Sequence, residues 1–253
     1  MTRRGAGVTN GLRVELLGPP RAWLGDVELK LGPARQRAIF ATLAARRGQR
    51  ISLGELISSV WGESAPASVT GSVHTYVSGL RGAIRKAGGD AHEVLRSSGS
   101  RYVLRLDRES LDVHRFEQDA AAARRLLAHA DQRGAAARLT TALGLWRGEA
   151  YSGVPGPFAE AERVRLTELQ LTATELRAAA LLGLGDHREL VAELTALVRR
   201  HPLRESLHEA LMRALHAGGR QIEALTAYRE ARRTLRDELG VEPGAPLRDL
   251  HQR

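Results

Sequence analysis

In the segment SVHTYVSGLRGAIRKAGG, residues 72–89, one face of a predicted helix is apolar and the opposite face carries no carboxylate. The apolar residues recur at steps of three and four, which brings them to one side of an α-helix. They are Val69, Val73, Val77, Leu80, Ile84 and Ala87. The other face holds only small, neutral-polar and basic residues, namely Gly71, His74, Thr75, Ser78, Arg81, Gly82 and Arg85. Because a solvated helix face ordinarily mixes both charge signs, this pattern predicts contact with a polyanion.

The elements around this helix predict a winged helix over residues 12–107. Ser52 and Glu55 have the spacing of a capping box, and Gly88-Gly89 ends the quoted helix. Three helices followed by a basic hairpin is the arrangement of a winged helix-turn-helix. The predicted elements are strands at 12–18 and 21–31, a helix at 33–47, a strand at 50–51, helices at 53–61 and 69–87, and strands at 94–95 and 102–106.

Residues 111–253 are predicted to be helical almost throughout. Gly185 and Gly219 open similar helices 34 residues apart, the period of tetratricopeptide repeats. Stacked hairpins of this kind form a protein-binding surface. The last predicted helix begins at about residue 246, and the sequence ends before its apolar stripe, Leu247 and Leu250, is continued. This pattern is compatible with a domain that is truncated at its C-terminus. The leucines expected in the core are Leu126, Leu139, Leu143, Leu166, Leu169, Leu194 and Leu211.

The positive charge is concentrated in the first half of the chain. Residues 1–110 hold 17 Arg/Lys and 9 Asp/Glu, whereas residues 111–253 hold 21 and 20. A polyanion partner for the first half alone fits this asymmetry. The segment 1–11 is basic and lacks an apolar run, so it predicts a disordered tail and not a signal peptide. No segment has 18 consecutive apolar residues, and we expect a cytoplasmic, nucleoid-associated protein without membrane contact.

The sequence offers no chemistry that points to an enzyme. There is no cysteine, which excludes disulfides and thiolate metal sites. Phosphate-binding Gly-Lys-Ser loops, HExxH and GxSxG motifs are absent, and the nine histidines lack metal-ligand spacing. We therefore expect no catalytic residue, no metal and no cofactor.

Six motifs together resemble the Streptomyces antibiotic regulatory protein family over nearly the whole chain. They are LGPARQRAIFATLA (31–44), ISLGELISSVWG (51–62), SVHTYVSGLR (72–81), SRYVLRLDRESLDVHRFE (100–117), ALGLWRGEAY (142–151) and the segment from HPLRE to ELGVEPG (201–244). The resemblance implies an α+β domain of the OmpR/PhoB type, a winged helix-turn-helix, at 12–107. It further implies an all-α, tetratricopeptide-like bacterial transcriptional activation domain at 111–253.

By the same resemblance, the chain is expected to activate promoters of secondary-metabolite (antibiotic) gene clusters. The family binds direct repeats in double-stranded promoter DNA and engages the RNA polymerase holoenzyme, which implies a homodimer on DNA. Two departures affect the expected repeat sequence: Gly79 and Gly82 stand where relatives often have basic residues, and Arg101 stands where the wing usually has glycine.

The candidate DNA-contacting side chains lie on the quoted helix. Arg81 can donate a bidentate pair of hydrogen bonds to guanine O6 and N7, a contact that discriminates by about 1–3 kcal/mol. His74, Thr75 and Ser78 can contact base edges or a thymine methyl group. Arg85, one turn beyond Arg81, is expected at a phosphate. The alternative for Arg81 and Arg85 is ordinary solvation.

Further candidates lie outside that helix. In the hairpin, Arg96 and Arg101 flank the tip, and Arg101 is the candidate for a narrow, A·T-rich minor groove. Trp61 matches the OmpR-type position whose indole N–H reaches a phosphate, although a tryptophan at the core edge fits equally well. The resemblance assigns Glu63 and Ser64, in the turn 62–68, to the polymerase-contact loop; a plain surface loop is the alternative.

A different class of function also fits these observations. A tetratricopeptide adaptor with a basic N-terminal half would bind RNA or an acidic protein. A DNA titration separates the two, because specific DNA binding weakens steeply with salt and prefers one repeat sequence. No recognisable motif indicates the target promoter or the metabolite cluster. The same holds for any ligand or phosphorylation input and for any domain beyond residue 253.

Overall fold

The structure, a computed structural model, describes residues 11–253, with the side chain of Glu189 excepted. Apart from Gly11, the expected tail at 1–11 lies outside the described residues. The chain forms two compact units. One comprises the residues up to Gln118 together with Ala142–Gln170, and the other comprises Asp119–Thr141 and Leu171–Arg253.

The N-terminal elements follow the predicted order of strands and helices, with one added helix and one strand divided in two. The added helix, α4, precedes β5, and its N-cap is Asp90, whose carboxylate accepts hydrogen bonds from the backbone N–H groups of His92 and Glu93. The elements are β1 (Leu12–Glu15), β2 (Arg21–Leu24), β3 (Val27–Glu28), α1 (Ala34–Ala45), β4 (Ile51–Ser52), α2 (Leu53–Trp61), α3 (Val69–Lys86), α4 (Ala91–Val94), β5 (Leu95–Ser98) and β6 (Arg101–Leu104).

Two small antiparallel sheets flank the helices. The first has the order β1-β2-β3, with Val14 opposite Ala22. The expected single strand at 21–31 divides into β2 and β3 because Gly25, at φ +57°, turns the chain between them. The second sheet has the order β4-β6-β5 and forms the wing, with Ser98 opposite Arg101 at its tip.

Local signals in the sequence account for the ends of α2 and α3. The capping box of α2 is present: the Ser52 hydroxyl accepts the Glu55 N–H, and the Glu55 carboxylate accepts the Ser52 N–H. Ser68 occupies the N-cap position of α3 without a side-chain capping bond. Gly88 ends α3 at φ +82°, a conformation that glycine adopts without steric cost.

The apolar face of α3 is buried as the periodicity predicts. Val73, Val77, Leu80 and Ile84 are all at most 2% exposed. This face packs on α1, whose residues from Ala38 to Ala44 are buried. Burial of each such side chain contributes about 1.5–3 kcal/mol, so the apolar face fixes which side of α3 remains outward.

After a 3₁₀ turn at Arg108–Ser110, the remainder of the chain is helical. Asp112 begins the first of these helices and is 4% exposed. Its carboxylate accepts hydrogen bonds of 2.8–2.9 Å from the backbone N–H groups of Leu16, Leu17 and Val113, which ties this helix to the end of β1. The helices are α5 (Asp112–Ala128), α6 (Gln132–Leu143), α7 (Pro157–Gly183), α8 (Arg188–Arg200), α9 (Glu205–Ala217), α10 (Gln221–Leu239) and α11 (Ala245–Gln252).

The second compact unit has a core of aliphatic side chains between paired helices. The 34-residue offset brings equivalent positions inward: Leu190 and Ala224 are both buried, as are Leu194 and Tyr228. Tyr228 also stacks on His251, with ring centroids 3.9 Å apart, so α11 closes one end of this core. Of the leucines expected in the core along the chain, four are buried and three only partly so. Leu139, Leu166, Leu194 and Leu211 are buried, and Leu126, Leu143 and Leu169 are intermediate.

Candidate nucleic-acid interface

The outward face of α3 presents short polar and basic side chains to solvent. His74, Thr75, Ser78 and Arg85 are exposed. The Thr75 hydroxyl donates to the Gly71 carbonyl at 3.0 Å, which leaves its oxygen available as an acceptor. Within residues 11–253, neither His74 nor Arg85 forms an ion pair. The side chains expected to contact bases are therefore on the accessible side of the helix.

Arg81 is arranged differently from its neighbours on this face. Its guanidinium Nε and Nη2 donate to the carbonyl oxygen of Leu95 at 3.1 and 2.9 Å, and Nη2 also donates to Ser97 Oγ at 2.9 Å. A bidentate contact to guanine requires two free N–H groups in one fork. In this structure the N–H groups of Nε and Nη2, which form one such fork, are engaged with the wing strand, so base reading by Arg81 stays a prediction.

The two glycines that depart from the family pattern have different surroundings. A Cβ atom at Gly79 would lie 2.5 Å from Gln36 Oε1 on α1, so glycine permits close packing of α3 on α1. At Gly82 a Cβ atom would meet nothing within 4 Å. A side chain is therefore readily accommodated at Gly82, whereas at Gly79 the side chain of Gln36 would have to move.

The outer face of the wing sheet is basic. Alternation along β6, continued by the residue that follows it, places Arg101 and Arg105 on the side opposite the buried Tyr102 and Leu104. Arg50, before β4, joins them around a cleft of about 500 Å³. Sequence reasoning found Arg96 and Arg101 here but missed Arg50 and Arg105. The signal that identifies Arg105 is the alternation of Arg101, Val103 and Arg105 with the apolar Tyr102 and Leu104.

One carboxylate balances part of this charge. Glu93 of α4 accepts hydrogen bonds from Arg96 and, at 2.8 Å, from Arg105. The hydrogen bond from Arg96 is the main cause of the lowered pKa of Glu93, followed by the charges of Arg96 and Arg105. Arg101 has no ion pair in the described part of the chain. Of the two wing arginines predicted from the sequence, Arg96 is therefore paired with Glu93 and Arg101 is not.

Trp61 lies at the end of α2 between two side chains. Its ring centroid is 6.5 Å from that of Tyr76 on α3, and the guanidinium carbon of Arg35 lies 5.4 Å from the indole centroid. Arg35 also donates to the Val60 carbonyl. Trp61 is partly exposed, so it stands at the edge of the core, and its contact with phosphate stays a prediction.

The turn between α2 and α3 contains the two residues predicted to contact RNA polymerase. Glu63 and Ser64 are exposed, and neither side chain has a hydrogen bond or ion pair within residues 11–253. The loop follows Gly62, which has φ +61°. The geometry leaves the Glu63 carboxylate accessible, and its partner stays a prediction.

Neither a metal cluster nor a membrane span is found in the described part of the chain. Within residues 11–253, no group of three or more His, Asp or Glu side chains is arranged to hold a metal ion. No helix there is long and apolar enough to cross a bilayer.

Comparisons with known proteins agree with both halves of this architecture. The family model for "Transcriptional regulatory protein, C terminal" matches residues 27–104, and that for "Bacterial transcriptional activator domain" matches residues 111–253. The regulatory protein AfsR of Streptomyces griseus is 42% identical over 96% of this chain, and the regulatory protein DnrI of Streptomyces peucetius is 36% identical over 94%.

The shares of the relatives' own lengths differ widely. The chain spans 24% of AfsR and 90% of DnrI. A solved structure of Mycobacterium tuberculosis EmbR in complex with a low-affinity phosphopeptide superimposes with a TM-score of 0.88 at 33% identity, covering 96% of this chain and 64% of that one.

The fold and the matched domains define a class, the winged-helix regulators of the OmpR/PhoB type that carry a bacterial transcriptional activator domain. Within that class, the chain belongs to the Streptomyces antibiotic regulatory protein family.

Proposed function

We propose that the chain is a sequence-specific DNA-binding transcriptional activator and not an enzyme. The observation that carries the proposal is the exposed face of α3, where His74, Thr75, Ser78 and Arg85 stand without any carboxylate. An α-helix with its side chains is about 10–12 Å across, and the major groove is about 12 Å wide. Small side chains and the absence of negative charge allow this helix to approach between two phosphate backbones.

The wing supplies a second contact that is independent of base sequence. Arg50, Arg101 and Arg105 line its outer cleft, and guanidinium groups are attracted to phosphates and to a narrow minor groove. Arg96 joins this surface with its charge partly balanced by Glu93. Arg81 holds α3 and the wing together through Leu95, and the base contact expected of it stays a prediction. Trp61 contacts phosphate from the end of α2.

The remaining partners are proposed on the strength of the family resemblance. Two copies bind direct repeats head to tail as a homodimer on promoter DNA, and the genes controlled are those of a secondary-metabolite cluster. Glu63 and Ser64 contact the RNA polymerase holoenzyme. The functional division is a winged-helix domain at 12–107 and an activation domain at 111–253, in a cytoplasmic, nucleoid-associated protein.

Selection from a random duplex library, followed by anisotropy titration on the selected site, tests the DNA-binding claim. We expect a direct repeat to be enriched and log K to fall linearly with log salt, with a slope of about −0.9 per phosphate contacted. Enrichment of no sequence, together with tighter binding to RNA or to an acidic protein, would instead establish the adaptor function.

Transcription in vitro tests the activator claim separately. On a template carrying the selected repeat, Glu63→Ala is expected to reduce the transcript while leaving DNA affinity unchanged. Glu109→Ala, a substitution of another exposed glutamate, is the matched control. Equal transcript from wild type and Glu63→Ala would remove the loop from the polymerase interface.

A further inference from the structure

A second concave surface lies in the first compact unit, away from the outward face of α3. It is a cleft of about 540 Å³ at the C-terminal end of α1, within the range of pockets that hold small molecules. Its rim carries four arginines and two glutamates, which are Arg46, Arg47, Arg108, Arg165, Glu117 and Glu162. The proposed DNA-binding surface includes none of these residues.

The charges of the cleft are incompletely balanced. Glu117 accepts from Arg47 at 2.7 Å and from Arg165 at 2.8 Å, and Glu162 accepts from Arg165 at 2.7 Å, so both rim carboxylates are taken up by these two arginines. Arg46 and Arg108 have no ion pair within residues 11–253. The Nε atom of Arg46 is buried and lacks a hydrogen-bond partner, and such a group is costly unless a further acceptor satisfies it.

Backbone strain is concentrated at the same cleft. Arg47 has φ +51° and Tyr151 has φ +54°. They are two of only three non-glycine residues with positive φ in the described part of the chain, the third being Ala130. Strained residues of this kind persist where the surrounding structure holds them and are common at ligand sites. Both side chains line the cleft.

The floor of the cleft is aromatic and apolar. Tyr151 is 1% exposed and meets Phe158 edge to face, with centroids 6.2 Å apart. Burial strongly raises the pKa of the Tyr151 phenol, so this hydroxyl stays protonated. Leu111 and Val113 lie beneath the floor and are at most 2% exposed. A ligand here meets the partly exposed ring of Phe158 below and guanidinium groups around the rim.

The geometry points to a binding site for a small aromatic carboxylate, whose ring lies on Phe158, above the buried Tyr151, and whose anion pairs with Arg46 and Arg108. Guanidinium groups match carboxylates in bidentate geometry, and the pair satisfies the buried Arg46 nitrogen. This site is additional to the proposed DNA contacts and does not depend on them.

Calorimetry with 1-naphthoate, using the neutral 1-naphthamide as the matched ligand control, tests the site on the full chain. Saturable binding of naphthoate is expected, with the amide at least about tenfold weaker because it cannot form charge-assisted hydrogen bonds. In ¹H–¹⁵N spectra, the backbone amides of Gly48 and Leu111 should shift on addition of naphthoate.

Arg108→Gln and Arg46→Gln should each weaken naphthoate binding about tenfold or more, while Arg124→Gln, an exposed arginine on α5, should not. If Arg46→Gln fails to fold, Arg108→Gln still decides, because Arg108 is exposed in a turn. The proposal is overturned by absence of binding, by equal binding of the amide, or by naphthoate affinity that Arg108→Gln leaves unchanged. Inorganic phosphate binding as tightly as naphthoate would overturn the assignment to a carboxylate with an aromatic body.

Discussion

Arg81 on α3 donates two hydrogen bonds, of 3.1 and 2.9 Å, to the carbonyl oxygen of Leu95, the first residue of wing strand β5. Leu95 is completely buried. The contact joins the helix proposed to enter the major groove to the hairpin proposed to contact the neighbouring backbone. The relative position of those two DNA-contacting elements therefore depends on a side chain that the sequence pattern assigned to base recognition.

Arg81→Ala is expected to lower the free energy of unfolding by about 1–3 kcal/mol, because it leaves a buried carbonyl without its charged donor. Urea denaturation of the free protein measures the change. Arg85→Ala, one turn along the same helix and exposed, is the control and should stay within about 0.5 kcal/mol of wild type. Equal stability of the two variants would show that the contact with Leu95 contributes nothing in solution.

Base recognition is expected to depend on the exposed residues of α3. His74→Ala and Ser78→Ala should each relax the preference at one position of the selected repeat by about 1–3 kcal/mol. Binding to a panel of single-base variants of the repeat measures this change. Arg85→Gln should weaken all sites alike, since a phosphate contact carries no base information. If Ser78→Ala weakened binding to every variant of the repeat equally, Ser78 would contact the DNA backbone and not a base.

The capping box of α2 should make stability depend on pH in the acid range. Hydrogen bonds from the Ser52 backbone and then its side chain lower the pKa of Glu55. A carboxyl group whose pKa is lower in the folded state stabilises the protein above its unfolded pKa of about 4.3, and that contribution is lost as pH falls through the folded value. Melting curves of wild type and Glu55→Gln should therefore differ at pH 6 and converge towards pH 3. A difference that does not change with pH would exclude this role for the carboxylate.

Helical periodicity and capping motifs in the sequence were enough to predict most of the fold. The step of three and four in α3, the capping box at Ser52 and the 34-residue offset between Leu194 and Tyr228 are each local or periodic, and all three agree with the structure. The short helix α4 was not predicted, because four residues are too few for a periodic pattern.

The direction of long side chains was beyond sequence reasoning. Position on the α3 helical wheel places Arg81 beside Ser78, yet its guanidinium reaches Leu95, fourteen residues further along the chain. Likewise, nothing near Asp112 in the sequence indicates that its carboxylate accepts from Leu16 and Leu17, about ninety-five residues away. Such contacts depend on tertiary packing.

Arg101→Gln should reduce the salt dependence of DNA binding. One phosphate contact fewer changes the slope of log K against log salt by about 0.9. Anisotropy titrations at several salt concentrations measure the slope, and Arg124→Gln on α5 is the control because it is an exposed arginine far along the chain from the wing. An unchanged slope would remove Arg101 from the phosphate-contacting surface.

Glu93→Gln should strengthen DNA binding. Glu93 lies about half exposed beside the wing arginines and holds Arg96 and Arg105 in ion pairs. Exposed ion pairs of this kind contribute little to stability because water screens them, so the fold should tolerate the substitution. Removing the carboxylate frees two guanidinium groups and abolishes its repulsion of phosphate, so affinity should rise and the salt slope should steepen. Weaker binding by a variant that melts like wild type would show that Glu93 orients Arg96 and Arg105 for DNA and does not restrain them.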